Sequence, residues 1–345
     1  MKLVKPYVKY VQNKDNFEHI AKAARICYAS ETKGHNDYEF IENLWNKRNH
    51  RSPYRHGTLY YEISDSFPRL LTKFINNPFC TCIHIEKEYT WLISTNCQFV
   101  KELDSKILRT LDNFSISEEY VYKYAKEYPD VLNIIRVSFE IQTQISTSRE
   151  LNRVSPNNIC EQSTRFCNFA NEKFGEHIAF CEPHWLDATT FYVEDGNLQQ
   201  ESNERVFIGK YVDNILTSIF AKVDDTELEV GKYYPIATKG IPQKDGSSLL
   251  YNPITIGQDY IGGLLDDEQR YFKYIKYGMK PQDARGILGL DCATKCFYTY
   301  SIKEWKHILD LRYKGTTGDP HPNAKIIATE IYNKLKELNL LGDYE

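Results

Sequence analysis

An alternating apolar run, Val137, Phe139, Ile141 and Ile145, leads straight into a dense polar stretch, and that junction constrains the chain more than any other feature. A period of two is the mark of a half-buried strand, so residues 136–146 are expected to be one. The polar stretch, 147–168, holds three arginines, two glutamates, five hydroxyl side chains and four asparagines. Sites on mixed folds are commonly built where chain leaves a strand end. Guanidinium forks suit phosphates and carboxylates, because they donate two parallel charged hydrogen bonds. The same composition also fits a solvated loop with Ser163 acting as a local cap.

Length and charge bound the rest. A chain of 345 residues allows two domains or one large one. With 26% charged residues and a net charge of −4, there is no general polyanion-binding surface, so nucleic acid is not an expected partner. Nine cysteines form no framework spacing, which points to reduced thiols and a cytoplasmic protein. No apolar run is long enough to cross a bilayer, and no secretory apolar region follows Met1. Cys80, Cys82 and His84 alternate on an expected strand, but without a second ligand pair they read as buried thiols and not as a metal site.

Periodicity gives the remaining elements. Helices are expected over 16–29, 37–48, 70–76, 266–277, 302–312 and 323–338, and an amphipathic helix over 201–222. Strands are expected over 58–63, 88–95, 96–100 and 178–181. Residues 101–130 read as a charged helical pair, and 185–200 as irregular. Residues 231–262, rich in Gly, Pro, Ser and Tyr, read as a long excursion or lid. His50 and His56 flank a turn made by Pro53; taken alone, histidines so placed are surface loop residues. Pro281 suits the first turn of a helix, with Gln282 and Asp283 at its positive end. No Gly-x-Ser-x-Gly elbow and no phosphate-binding P-loop occurs, which argues against a hydrolase.

Four separated blocks then resemble one family. Arg153, Ser155, seven residues, then Ser163 is similar to the Arg-His-Arg, seven residues, Ser motif of the flavin-dependent thymidylate synthases. Val154 stands where that family has His, Ser155 where it has the second Arg, and Asn158 where it has Ser. Ala24-Arg25 with His50-x-Ser52-Pro53 resembles the first family blocks, Ala284-Arg285 a third, and Leu311-Arg312 the last, with Gly289 in place of a family proline.

The resemblance implies an α+β fold, a mostly antiparallel sheet flanked by helices. It implies one domain over 1–345, with 65–130 and 185–262 as insertions, in a homotetramer whose sites are shared between subunits. It implies transfer of a one-carbon unit from methylenetetrahydrofolate to C5 of dUMP, with hydride from FAD that NADPH has reduced. Arg165 and Arg285 would grip the substrate phosphate with Ser163 and Thr164. Arg312 would stabilise charge on the pyrimidine, Arg153 would bridge nucleotide and flavin, and Glu161 would orient the sugar or a water. Gln162 would sit in the same pocket, as would Glu150, where the family has Gln. Cys27, His50, Ser52, Arg55, Ser301, Lys303, His307 and Leu311 occupy flavin-contacting positions, with His56 beside them; Asp310 is structural. The altered central motif leaves open a related modification such as hydroxymethylation of another pyrimidine nucleotide, or a flavin-free nucleotide-binding protein.

Overall fold

The computed structural model describes residues 2–28, 36–163, 169, 177–186 and 254–344, with short strands between 191 and 249. Side chains between 191 and 259, and at 261, lie outside that description. In chain order the first part comprises β1 (Lys2–Val4), β2 (Tyr7–Val11), α1 (Asn16–Tyr28), α2 (Asp37–Asn46), β3 (Thr58–Ser64), α3 (Pro68–Leu71), β4 (Thr81–Ile85), β5 (Thr90–Asn96), α4 (Cys97–Lys101), α5 (Ser105–Leu111), β6 (Ser115–Ile116), α6 (Glu118–Ala125), β7 (Arg136–Gln144), α7 (Ile145–Leu151), β8 (Ile159–Glu161) and β9 (Ala179–Cys181). There follow β10 (Phe191–Val193), β11 (Glu204–Val206), β12 (Gly209–Val212), β13 (Ile215–Ile219), β14 (Ala221–Val223), β15 (Pro235–Ile236), β16 (Ile241–Pro242), β17 (Ser248–Leu249) and β18 (Ile254–Thr255). The chain ends with α8 (Ile256–Lys276), α9 (Pro281–Ala284), β19 (Ala293–Ser301), α10 (Ile302–Leu309) and α11 (Pro322–Glu337). The fold is α+β, as the resemblance implies, and its sheets are almost wholly antiparallel.

Two compact units divide the chain. One comprises Met1–Pro6, Gln144–Ser146 and Thr164–Ala293. Its sheet has β1 in the centre, antiparallel to β11 and parallel to β9. Leu3, Ile178, Phe180, Leu264, Leu265, Tyr271 and Cys292 form its core.

The other unit comprises Tyr7–Thr143, Thr147–Ser163 and Thr294–Glu345. It contains two four-stranded sheets, ordered β2-β7-β19-β8 and β4-β5-β3-β6. Phe139, Tyr298, Tyr300, Trp305 and Ile308 are buried in its main core, and the Trp305 indole N–H donates to the Val137 carbonyl at 3.0 Å. α10 begins with a capping box: the Ser301 hydroxyl accepts from the Glu304 N–H, and the Glu304 carboxylate accepts from the Ser301 N–H.

The centre of this unit is polar as well as apolar. Arg136 is buried without a carboxylate partner among the described residues; its guanidinium donates to the carbonyls of Thr95 (2.9 Å), Gly57 (3.1 Å), Arg55 (2.8 Å) and Thr299 (3.4 Å). Beside it runs a buried hydrogen-bonded chain. His19 Nε2 meets Ser138 Oγ at 2.7 Å, Ser138 Oγ meets Thr299 Oγ1 at 2.7 Å, and Thr299 Oγ1 meets His56 Nδ1 at 2.9 Å. Both imidazoles stand edge-on to the Phe297 ring. Burial, then the neighbouring Arg136 and Lys22, pushes His19 down to about 4. Burial is also the main force holding His56 well below the usual range, with His19 and Arg136 adding to it.

Several local expectations change. His56 is fully buried, not a surface loop residue, because the 3-10 turn Ser52–His56 packs it under β19. Residues 97–101 are a helix, not strand: Asn96 caps it by accepting from the Phe99 N–H at 2.9 Å. The expected helix over 201–222 is replaced by β11 to β14. Val206, Val212, Ile215 and Ile219 are β-branched, which favours strands, and Val212 pairs with Ile215. β10 also lies within the stretch expected to be irregular. The lid expected over 231–262 lies mostly outside the described residues.

Candidate functional site

β7 ends at Gln144, two residues before the expected bound, and α7 starts at Ile145, which the sequence placed on the strand, and runs into the polar stretch. This short helix is fastened from below. The Tyr298 hydroxyl lies 3.3 Å from the Ser148 carbonyl and 3.3 Å from Asn152 Oδ1. Two side chains of α7, two positions apart, then hold two candidate site residues. Ser148 Oγ donates to Glu161 Oε1 at 2.9 Å, and Thr294 Oγ1 donates to the same oxygen at 3.1 Å. Glu161 comes from β8, whose register on β19 sets Glu161 opposite Cys296.

Glu150 holds Arg312. Arg312 Nε donates to the Glu150 carbonyl at 2.7 Å, and Arg312 Nη2 lies 2.8 Å from Glu150 Oε2. Arg153 Nη2 reaches that same carboxylate oxygen at 3.2 Å, while its Nη1 donates to the Arg149 and Asn152 carbonyls. Two guanidinium groups thus share one oxygen. Burial and the Arg153 charge lower the Arg312 pKa, and the Glu150 carboxylate opposes them. Arg312 arrives on a π-helical turn, Asp310–Lys314, that closes at Gly315 with φ of +75°. Such turns widen a helix by one residue and re-aim its side chains. Asp310 accepts from the Tyr344 hydroxyl at 2.9 Å and so serves the packing of the C-terminus.

Beyond Glu161, the Gln162 N–H donates to the Lys295 carbonyl and the Ser163 N–H to the Cys27 carbonyl. Thr164 and Arg165 lie outside the described residues. The Cys27 and Cys160 thiols are hydrogen-bonded; the bond lowers the Cys27 pKa and raises that of Cys160. His50 Nδ1 lies 2.9 Å from the Tyr28 hydroxyl, and the Arg48 guanidinium sits 5.6 Å over the Tyr28 ring. Burial and Arg48 lower the His50 pKa. Ser52 opens the 3-10 turn that follows. Arg55 is engaged by protein groups: Nε donates to Gln98 Oε1 at 2.8 Å and Nη1 to the Asn157 carbonyl at 3.0 Å.

Ser301 is fully buried as the cap of α10. Lys303 and His307 are exposed and four residues apart on α10, and Leu311 follows in the π-helical turn. Arg285 belongs to the other unit, in the 3-10 segment Arg285–Ile287, where its Nε donates to the Gln282 carbonyl at 3.2 Å. On β4, His84 pairs with Asp65 at 3.0 Å and stacks on Trp91. Burial raises the Cys80 thiol to about 12 and the Cys82 thiol to about 11. Among the described residues no cluster of His, Cys, Asp and Glu could hold a metal ion, and no helix is long and apolar enough to cross a membrane.

The structure therefore brings Glu150, Arg153 and Arg312 together, and sets Glu161 on Ser148 of the same helix. Ser148, Thr294 and Tyr298 were not singled out from sequence. The alternation Thr294, Cys296, Tyr298, Tyr300 is the signal that marks the strand of Thr294 and Tyr298.

No curated protein sequence matches the chain. Among solved structures, it is similar to the UMP/dUMP methylase PolB from Streptomyces cacaoi bound with 5-Br dUMP, at 14% identity and a TM-score of 0.39, covering 100% of this chain and 98% of that one. The same methylase bound with 5-Br UMP matches at 14% identity and a TM-score of 0.39, covering 99% of this chain and 96% of that one. The family model described as thymidylate synthase complementing protein matches residues 95–338, well over half of the chain, and the chain therefore belongs to the flavin-dependent thymidylate synthase family.

Proposed function

We propose that the protein transfers a one-carbon unit from methylenetetrahydrofolate to C5 of dUMP, with hydride delivered through FAD and drawn from NADPH, giving dTMP. The observation that carries this reading is the fixed guanidinium of Arg312, held by Glu150 beside Arg153. A cation set in place before reaction stabilises charge developing on a pyrimidine carbonyl without reorganisation, an effect on the order of several kcal/mol. Glu161, oriented by Ser148 and Thr294, is placed to accept from a sugar hydroxyl or a water. Arg165 and Arg285 grip the phosphate, and the site is completed in a cytoplasmic homotetramer.

The described residues fit a flavin. The corner formed by Tyr28, His50 and Arg48 offers ring edges and a cation to an anionic, ring-bearing cofactor, and the lowered His50 pKa keeps that imidazole neutral at physiological pH. Lys303 and His307 add exposed polar contacts on α10. FAD, when bound, supplies the hydride; the protein's residues bind and orient the nucleotide.

The test is mass spectrometry of the nucleotide after anaerobic incubation of the purified protein with FAD, NADPH, methylenetetrahydrofolate and dUMP. A methylated product is expected, and it should fall to a trace with Arg312→Ala. Unchanged dUMP would refute the assignment, and the same assay with dCMP and UMP would reveal another pyrimidine substrate or a hydroxymethylated product. Full turnover by Arg312→Ala would remove its assigned role.

A further inference from the structure

We propose that the sheet face at Thr299 holds one buried water molecule, bound between His56 Nε2 and Asn158 Oδ1, and that this water fastens the start of β8. Both atoms are buried, and neither has a hydrogen-bond partner among the described residues. His56 is fully buried and Asn158 is 4% exposed. Buried polar groups are almost always paired, so two unpaired ones at one place mark a site for a ligand.

Two connections bring the pair together. Thr299 Oγ1 meets His56 Nδ1 at 2.9 Å, and the Thr299 N–H donates to the Asn158 carbonyl at 3.2 Å. Sidedness agrees. Phe297 lies opposite Cys160 in the β19–β8 register and packs with it in one small core. Alternation puts Thr299 on the Phe297 face and Asn158 on the Cys160 face, while Ile159 packs into the main core on the other side. The His56 ring stands edge-on to Phe297. The two atoms are not bonded to each other, so more than a hydrogen-bond length separates them.

The surroundings select the ligand. Arg136 donates to the Thr299 and Arg55 carbonyls, and Arg55 donates to the Asn157 carbonyl, so two guanidinium groups flank the site. Their charge repels a metal ion or an ammonium, and the Asn158 oxygen, an acceptor, repels an anion. What remains is a small neutral group that both donates and accepts. Water does so with either nitrogen of the His56 ring protonated, and two polar partners meet the minimum that an internal water takes. Asn157, next to the site, accepts from the Tyr300 hydroxyl at 2.9 Å. The water adds a further tie on this corner, from which β8 leads to Glu161.

The experiment pairs crystal structures of the full-length wild type and of Asn158→Leu, at a resolution that shows ordered waters. Leucine keeps the shape of asparagine and removes its polar atoms. Wild type should show one density peak about 2.7–3.2 Å from both His56 Nε2 and Asn158 Oδ1, and the variant should show none there. Amide exchange read by mass spectrometry is the second measurement. Asn158→Leu should speed exchange over Ile159–Glu161 by roughly tenfold and leave α11 unchanged, which separates local loosening from global loss of stability. A direct His56–Asn158 hydrogen bond, no peak in wild type, or an anomalous peak there in crystals grown in bromide (the mark of an anion) overturns the proposal. Unchanged exchange over Ile159–Glu161 overturns the fastening role. Should Asn158→Leu fail to fold, the wild-type crystals still decide the site, and Asn158→Ala carries the exchange measurement.

Discussion

Acidification should unfold this protein through two buried imidazoles. His19 and His56 terminate the hydrogen-bonded chain through Ser138 and Thr299, and both are almost wholly buried. Burial, followed by nearby cations, depresses both pKa values, that of His19 to about 4. In the unfolded chain each titrates near its ordinary value of about 6.5. Below that pH the unfolded state binds more protons than the folded state, so the stabilisation is complete above about pH 7 and is lost as the pH falls. The loss from His19 continues until the pH passes its folded value of about 4. Linkage puts the loss between pH 7 and pH 5 at about 2 kcal/mol for His19, and His56 shifts stability in the same direction. The assay is urea unfolding at both pH values for wild type and His19→Gln. Glutamine reaches Ser138 with an amide but cannot ionise. The variant's loss on acidification should be smaller than wild type's by about 2 kcal/mol. Equal losses in the two proteins, or a wild type whose stability is flat across the interval, would refute the argument.

Two further perturbations probe the same framework. Arg136→Met removes the guanidinium donor from the Arg55, Gly57, Thr95 and Thr299 carbonyls, of which Gly57 keeps the Cys97 N–H at 3.2 Å, and thermal denaturation should show a loss of about 3–5 kcal/mol; a loss below about 1 kcal/mol would mean that other donors satisfy the remaining carbonyls. Gly315→Ala would strain a left-handed residue and bring a Cβ within 3.0 Å of the Gly318 carbonyl oxygen; since Gly315 closes the turn that carries Arg312, the variant should lose about 1–2 kcal/mol of stability and bind dUMP more weakly by titration.

Helices bury one face at a local period, so the helices at the two ends were legible from single windows. α1, α2, α10 and α11 fall within a few residues of their expected bounds. Windows fail where two periods compete. The apolar residues of 201–222 fit a helical spacing, but their β-branching favours strands. At 96–100 the alternation misled, because the cap on Asn96 turned the chain into α4. The buried histidines were missed for a different reason. Sequence does not show that Ser138 of β7 and Thr299 of β19 lie side by side to satisfy them.

The candidate site has the same origin. Arg312 and Glu150 are 162 residues apart, and no spacing rule connects them. What brings them together is strand register. β19 lies between β7 and β8; its Tyr298 hydroxyl meets α7, and its register sets Glu161 opposite Cys296. From α7, Ser148 then holds Glu161 and Glu150 holds Arg312. A slip of one residue in β19 would turn Tyr298 to the opposite face and release α7. The residue types that could form a site are thus written in the stretch 147–163, whereas their geometry is set by a strand more than a hundred residues away.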